Sequence, residues 1–386
     1  MKQISIKPAI LGIGTAVPVY RLEQREVASR LAEALQDYPD SARWARRIFH
    51  QCGVVNRFTC EPNLLEPPEQ CRYLIRESLD EVPSTEERMQ LYKKESVPLA
   101  LEAAGQALAD SGTKSAEITH LLTVSCTGQF LPGLDSALID QLGLERDIVR
   151  YPFQFQGCAA GLKAICMAKD LVSASPQAKV LIVCVELCTL HIQPSARRED
   201  LFGASFFGDG SSACVVAVPG IKQPQEQAVF TLGDYRSVLL PDTAEEMVWE
   251  IGNHGFNLYL SPHIPKHISQ YIPAEVERLL GADHLPELWA IHPGGRGIVD
   301  AVQAMYGLTD EQVSPSRTVL SNFGNLSSAT LLFVLRELRE RLAADQSAEA
   351  EGVALAFGPG LTAELLRISY IPSGAQVMPK PDQLYV

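Results

Sequence analysis

The chain has 386 residues, 46% hydrophobic and 20% charged, enough to bury one or two large cores and a composition that excludes disordered and fibrous classes. Lys plus Arg number 33 against 46 Asp plus Glu, a formal charge of -13. Such a surface repels phosphate backbones and argues against nucleic acid as a main partner, although a local Arg cluster can still hold a small anion.

No apolar run reaches the ~18 residues of a membrane span, which argues against stable membrane insertion. The N-terminal stretch MKQISIKPAILGIGTAVP is broken by Gly and Pro and lacks a small-residue cleavage site, so no signal peptide is expected. Within it, GIGTAVP (12–18) looks like a dinucleotide loop, but its third glycine is missing and Pro18 intrudes. Cysteines stand at 52, 60, 71, 126, 158, 166, 184, 188 and 214. Their number is odd and none forms a CxxC pair. That argues for reduced thiols in a cytoplasmic protein rather than a disulfide framework or structural zinc.

Further along, THLLTVSC (119–126), KVLIVCVE (179–186), SSACVVAV (211–218), LWAIH (288–292) and GVALAF (352–357) read as buried strands. LKAICMAKDLV (162–172) and SATLLFVLRELRERL (328–342) have helical periodicity. Alternation of the two predicts α/β layers around a mostly parallel sheet. The order also repeats. A strand ends at Cys126, a loop and helix follow, and QGCAAG opens a helix before KVLIVCVE. A second strand ends at His292, a loop and helix follow, and NFGNLSSA opens a helix before GVALAFGPG. Cys126 to Cys158 spans 32 residues and His292 to Asn325 spans 33. A duplicated unit brings Cys158, His292 and Asn325 together across a pseudo-dyad; two unrelated α/β units with similar spacing are the alternative. The join is expected in PGIKQPQEQ (219–227), giving halves of 1–220 and 221–386.

Cys158 lies between glycines at an element boundary, just before a helix. The helix dipole and unpaired backbone N–H groups lower a thiol's pKa there and suit a nucleophile. A buried structural Cys is the other reading, and it fits Cys166, Cys184 and Cys214, which lie inside elements. His292 ends a strand before PGGRG, where little bulk crowds the imidazole; it is either a proton partner for a thiolate or a satisfied loop His. Asn325 either caps the following helix or supplies an amide to an oxyanion hole. It also forms an Asn-x-Ser sequon, which a cytoplasmic protein would not glycosylate. His263 and His267 have the i, i+4 spacing of a metal pair, but prolines stand close and no third ligand is evident, so no metal is expected.

QGCAAG, LFGASFFGDGSSA (201–213), IHPGGRGIVDAV (291–302), SNFGNLSSAT (321–330) and AFGPGLTAE (356–364) fall in one order. With them the chain resembles type III polyketide synthases, the chalcone synthase-like enzymes of the thiolase superfamily, over nearly its whole length. The resemblance implies an α/β thiolase fold of duplicated βαβαβαββ halves in an α-β-α-β-α arrangement. It implies a homodimeric acyltransferase acting on malonyl-CoA and an acyl-CoA starter, with no cofactor or metal. Cys158 would carry the acyl chain. His292 would keep it as thiolate and, with Asn325, decarboxylate malonyl-CoA and stabilise the enolate.

By the same resemblance, Phe207 falls at an aromatic gate, and Gly358, Pro359 and Gly360 match a loop shaping the cavity wall. Arg47 aligns with a contact to the CoA phosphates, with Arg43 and Arg46 beside it; a solvated helix face is the alternative for all three. Leu258 stands where plant members have a second gating Phe, and Trp249 where they have a small Gly. Cys126 stands where Thr is usual, beside Thr127 in SCTG; it either holds polyketide or lines the cavity. Cys188 and His191 are expected in the cavity lining, and Leu131 resembles a position that reaches across a dimer interface. SCTG and MVWEIGNHGF (247–256) look like bacterial members, several of which make alkylpyrones, alkylresorcinols or naphthalene products. Trp249 is expected to redirect cavity volume. Two rival readings remain: a ketoacyl-ACP synthase that depends on acyl carrier protein, and a thiolase-fold scaffold without chemistry, against which the presence of all three residues weighs.

Overall fold

A computed structural model of the chain describes residues 7–75, 78–220, 227–282 and 284–375. Residues 221–226 of the expected junction lie outside the described residues. The first half runs β1 (Ala9–Ala16), β2 (Tyr20–Glu23), α1 (Gln24–Ala34), α2 (Pro39–Gln51), β3 (Asn56–Thr59) and α3 (Thr85–Ser111). It continues through β4 (His120–Ser125), α4 (Leu134–Leu142), β5 (Val149–Gln154), α5 (Ala160–Ala174), β6 (Val180–Leu187), α6 (Arg198–Phe206) and β7 (Asp209–Ala217). The second half runs β8 (Val229–Leu239), β9 (Met247–Gly252), β10 (Gly255–Leu260), α7 (Ile264–Leu280) and β11 (Leu288–Ile291). It ends with α8 (Arg296–Tyr306), α9 (Asp310–Phe323), α10 (Thr330–Ala344), β12 (Ala350–Gly358) and β13 (Thr362–Ile371).

Nine strands form one sheet in the order β11-β12-β13-β8-β1-β7-β6-β4-β5. The halves meet where β1 pairs antiparallel with β8 at Ala9–Thr231 and Ile10–Phe230. Outward from that seam both halves repeat one sequence of neighbours: β1, β7, β6, β4 in the first and β8, β13, β12, β11 in the second. The sheet is mixed rather than mostly parallel. Five of its eight pairings are antiparallel and only β11/β12, β4/β6 and β4/β5 are parallel. The loop from β12 to β13 shows why. Three residues, Pro359 to Leu361, separate the strands, too few for the dozen that a parallel crossover needs.

Side chains alternate across each strand with period two. On β6, Leu181, Val183 and Val185 face an outer core with α3 and α4, while Val180, Ile182 and Cys184 face a central core shared with α5 and α10. The second half has its own outer core, in which α7 and α8 cover Ile291, Val353 and Leu355. The layers therefore run α3/α4, half-sheet, α5/α10, half-sheet, α7/α8. GIGTAVP belongs to this packing. Gly12 and Gly14 lie inside β1, and a Cβ on either would collide with the backbone of α3 at Ala107 and Ala103. The glycines serve close helix–strand contact, not a dinucleotide.

Candidate active site

Cys158, His292 and Asn325 come from three separate segments and line one cavity of about 120 Å³. Cys158 sits in a single 3-10 turn, two residues before α5. Gly157 has φ +67°, and a Cβ there would collide with the ring of Pro359. That glycine lets the turn form and brings Pro359 against the nucleophile loop.

His292 follows β11, and its N–H donates to Leu355 O at 2.8 Å. Its ring is fully buried and neither ring nitrogen has a hydrogen-bond partner. Gly294 stands against it: a Cβ there would lie 3.5 Å from Nε2.

Asn325 does not cap α10, whose N-cap is Ala329. Its Oδ1 accepts from Ser327 N at 2.8 Å and Thr330 Oγ1 at 3.2 Å, closing the turn into α10. Those bonds fix the amide so that Nδ2 donates to Gly294 O at 3.4 Å and faces Cys158 Sγ at 3.9 Å.

Electrostatics at the thiol differ from the helix-end expectation. Burial pushes Cys158 up to about 11, although hydrogen bonds from Ser327 and Asn325 pull the other way. Burial also pushes the His292 imidazole down to about 3. Desolvation outweighs the helix dipole because both groups lie in a largely apolar cavity. Each group alone stays neutral at pH 7. Proton transfer from sulfur to imidazole would leave the net charge at zero, so a thiolate–imidazolium pair, once the two side chains meet, would cost far less than either lone ion.

Beneath the cavity floor lies Glu186, fully buried at the end of β6. Its carboxylate accepts from Cys126 N at 3.0 Å, from Thr127 Oγ1 at 2.7 Å and from Ser328 Oγ. Burial raises its pKa while these donors lower it. It ties the end of β4 to the start of α10, and so one half to the other. The lone acid closing the apolar run KVLIVCVE is the sequence signal that would have found it.

Of the other expected lining residues, Cys126, Thr127, Cys188, Phe207, Trp249, Leu258 and Pro359 face the inner cavity. Trp249 is fixed by Nε1 donating to Cys126 O at 3.0 Å, and β9 and β10 pair Trp249 with Leu258 over the cavity. His191 does not line the inner cavity but an adjoining one that shares Cys188, Phe207, Trp249 and Leu258 with it. Its Nε2–H donates to Thr127 O at 2.7 Å, Nδ1 accepts from Phe256 N at 3.0 Å, and its ring stacks on Phe256 at 4.1 Å. Gly358 and Gly360 also stand outside the lining. A Cβ on Gly358 would press on Ala159 and Gln156 O, so that glycine serves close packing. Phe155, with φ +53°, was not anticipated; it lines the cavity while remaining 36% exposed.

A second, outer cavity of about 480 Å³ shares Met247, Leu260, Gly294 and Ile298 with the inner one and is lined by Gln51 and Arg296. Arg47 Nε donates to Gln51 Oε1 at 3.3 Å, which puts Arg47 at its rim. Arg43 pairs with Asp40 and Arg46 is exposed on the same helix. None of the three lines either cavity; Arg296, in the HPGGRG run, does. Leu131 is 92% exposed. His267 bonds Glu246 at 3.3 Å and stacks on Tyr271. Among the described residues no three metal-ligating side chains cluster, and no helix is long and apolar enough to cross a membrane.

Comparison with known proteins places the architecture. A family model for the N-terminal domain of chalcone and stilbene synthases matches residues 2–219, and one for their C-terminal domain matches 234–372. The chain is 32% identical over 359 residues to the "Alpha-pyrone synthesis polyketide synthase-like Pks18" of Mycobacterium tuberculosis, covering 92% of this chain and 89% of that protein. It is 31% identical over 366 residues to "Probable polyketide synthase 1" of Dictyostelium discoideum, of which it spans 11%. Among solved structures, PKS-I from the brown alga Ectocarpus siliculosus superposes with TM-score 0.86 at 27% identity, covering 96% of this chain and all of that one. The C-terminal type III polyketide synthase domain of Steely1 from Dictyostelium gives 0.84 at 28% identity, with the same coverage.

Proposed function

The chain belongs to the chalcone and stilbene synthase family, and from that membership we propose that it extends an acyl-CoA starter with malonyl-CoA through Cys158, His292 and Asn325. It is a type III polyketide synthase, an acyltransferase of a family that uses CoA thioesters and needs no cofactor.

The reaction runs as follows. Cys158 passes its proton to His292 and attacks the starter thioester; the C–S bond to CoA breaks, and CoA leaves with the proton from His292. Malonyl-CoA then loses CO2. The electron pair of the broken C–C bond forms an enolate, and its charge falls on the thioester oxygen. Asn325 Nδ2 and an N–H of His292 are the donors for that oxygen, and such donors are typically worth ~3 kcal/mol each. The enolate carbon attacks the acyl carbonyl on Cys158, a C–C bond forms and the thiolate is released. The extended chain returns to sulfur for the next round.

The observation that carries this reading is the convergence of the three side chains on one apolar cavity from positions 158, 292 and 325. Lactone closure to a pyrone is the ring-forming step best supported. The named function of the Mycobacterium relative favours it, as does an inner cavity of about 120 Å³, small beside the ~300–1,000 Å³ of common ligand sites. Leu131, almost fully exposed, and Phe155, exposed yet lining the cavity, support a homodimer that closes this side of the site. A reducing, cytoplasmic compartment suits three thiols, at 126, 158 and 188, around one cavity.

Incubation with malonyl-CoA and a panel of acyl- and aroyl-CoA starters, followed by mass spectrometry, tests the reading. Pyrone masses from CoA substrates alone are expected. Activity only with acyl carrier protein, or a linear ketoacyl product, would overturn it in favour of a ketoacyl-ACP synthase.

A further inference from the structure

Arg57, in the short strand β3, is one of the largest fully buried side chains in the protein, at 1% exposure. Among the described residues no carboxylate lies within ion-pair distance of it. Its Nη1 donates to the carbonyl of Phe207 at 2.7 Å, while Nε and Nη2 have no hydrogen-bond partner. Burial lowers its pKa to about 10, which leaves the guanidinium charged at neutral pH. The Asp209 carboxylate favours the charge from beyond ion-pair distance, yet a buried cation whose one hydrogen bond goes to a main-chain carbonyl is costly to keep, and the identity of that carbonyl is informative.

Phe207 O belongs to the segment that holds Asn325. The two residues form a parallel backbone bridge: Asn325 N donates to Phe206 O at 2.8 Å and Gly208 N donates to Asn325 O at 3.0 Å. Arg57 also packs against the glycines on both sides of that bridge. A Cβ on Gly208 would lie 3.1 Å from Arg57 Cβ, and one on Gly324, at φ +73°, would lie 3.5 Å from it and collide with Phe206 O. The end of β3 grips the same segment again, where Cys60 N donates to Asp209 Oδ2 at 2.9 Å. The stem of Arg57 thus wedges the two loops and its head pins one of them.

We propose that Arg57 is a positioning residue: by holding the Phe207 carbonyl and wedging the Phe207–Asn325 bridge, it keeps the Asn325 amide aimed at the reacting centre beside Cys158. This deepens the reading above and rests on it. Arg57 touches no substrate, and it acts on decarboxylation through Asn325 while leaving the Cys158–His292 pair untouched.

The test measures malonyl-CoA decarboxylation and the rate of Cys158 alkylation by iodoacetamide in wild type, Arg57→Met and Arg57→Lys. In Arg57→Met, kcat for decarboxylation is expected to fall at least about tenfold, with KM for malonyl-CoA and the alkylation rate both within about twofold of wild type. Arg57→Lys keeps a stem and one donor and is expected to be rescued only in part, with kcat about threefold to fivefold below wild type. A folded Arg57→Met that decarboxylates at the wild-type rate would overturn the proposal. So would a parallel loss of decarboxylation and alkylation, since that marks general collapse of the site. Should Arg57→Met not fold, Arg57→Lys carries the test alone: a lowered kcat at constant KM supports positioning, and an unchanged kcat refutes it. Absence of decarboxylation in wild type would instead bring down the underlying reaction, so the two failures are distinguishable.

Discussion

Cys126 follows β4 and His292 follows β11, at the same place in the two half-sheets. Cys158 and Ser328 each stand two residues before a fifteen-residue helix, α5 or α10, and each follows a residue with positive φ, Gly157 at +67° and Ser327 at +48°. The backbone is therefore built twice, and the side chains placed on it differ. The first half spends its helix-start position on a thiol facing the cavity. The second spends it on a hydroxyl that donates to the buried Glu186, and supplies an imidazole and an amide instead. On the proposed reading, one half carries the acyl group and the other handles the charge of the enolate. The difference teaches that a duplicated scaffold fixes where groups point, while the residue at each point decides what they do.

His292→Ala breaks this division most severely. If His292 has its proposed role, this removes a donor to the enolate and the proton partner of Cys158, so decarboxylation should fall by a hundredfold or more, on the order of one oxyanion donor or greater. The remaining thiol then titrates alone near the about 11 set by burial. Its alkylation rate should climb with pH from 7 toward 11, because only the thiolate reacts, whereas in wild type the proposed ion pair would keep it appreciable at neutral pH. Equal alkylation profiles in the two proteins would show that His292 does not hold the proton.

Ser328→Ala sharpens the comparison at the matching position of the other half. It should leave the nucleophile in place but deprive Glu186 of one donor, destabilising the fold by ~1–3 kcal/mol, as read by thermal or denaturant melts. No change in stability would mean that Ser328 is not the structural counterpart described above.

A smaller effect concerns His191, which burial holds down to about 3 against an ordinary imidazole near 6.5. Below pH ~6.5 the unfolded chain takes up a proton that the folded chain refuses, so this group's contribution to stability is lost as pH falls from ~6.5 toward 3 and is constant above that window. His191→Asn should flatten the acid limb of stability against pH. An unaltered limb would contradict neutral burial of His191.

Much of this was legible in the sequence, for identifiable reasons. The continuous apolar runs of β4, β6 and β12 mark strands buried on both faces. Cys158, His292 and Asn325 stand out because glycines isolate them at element ends. The mixed sheet was not legible from alternation of strands and helices, since the β6–β7 and β12–β13 returns depend on connection geometry. The direction of the Cys158 shift was also missed: a local motif shows the helix end but not the apolar cavity above it. Nothing in the sequence marks Arg57 as buried, because burial of a single charge is decided by distant segments, here the one that carries Phe207.

The most direct test follows acyl loading and CO2 release in parallel, by intact-protein mass spectrometry and from labelled malonyl-CoA, in Cys158→Ala and Asn325→Ala. If the halves divide the chemistry, Cys158→Ala carries no acyl group yet keeps some decarboxylation, while Asn325→Ala loads the starter and decarboxylates about a hundredfold or more slowly. An acylated Cys158→Ala protein, or an Asn325→Ala protein releasing CO2 at the wild-type rate, would contradict the account.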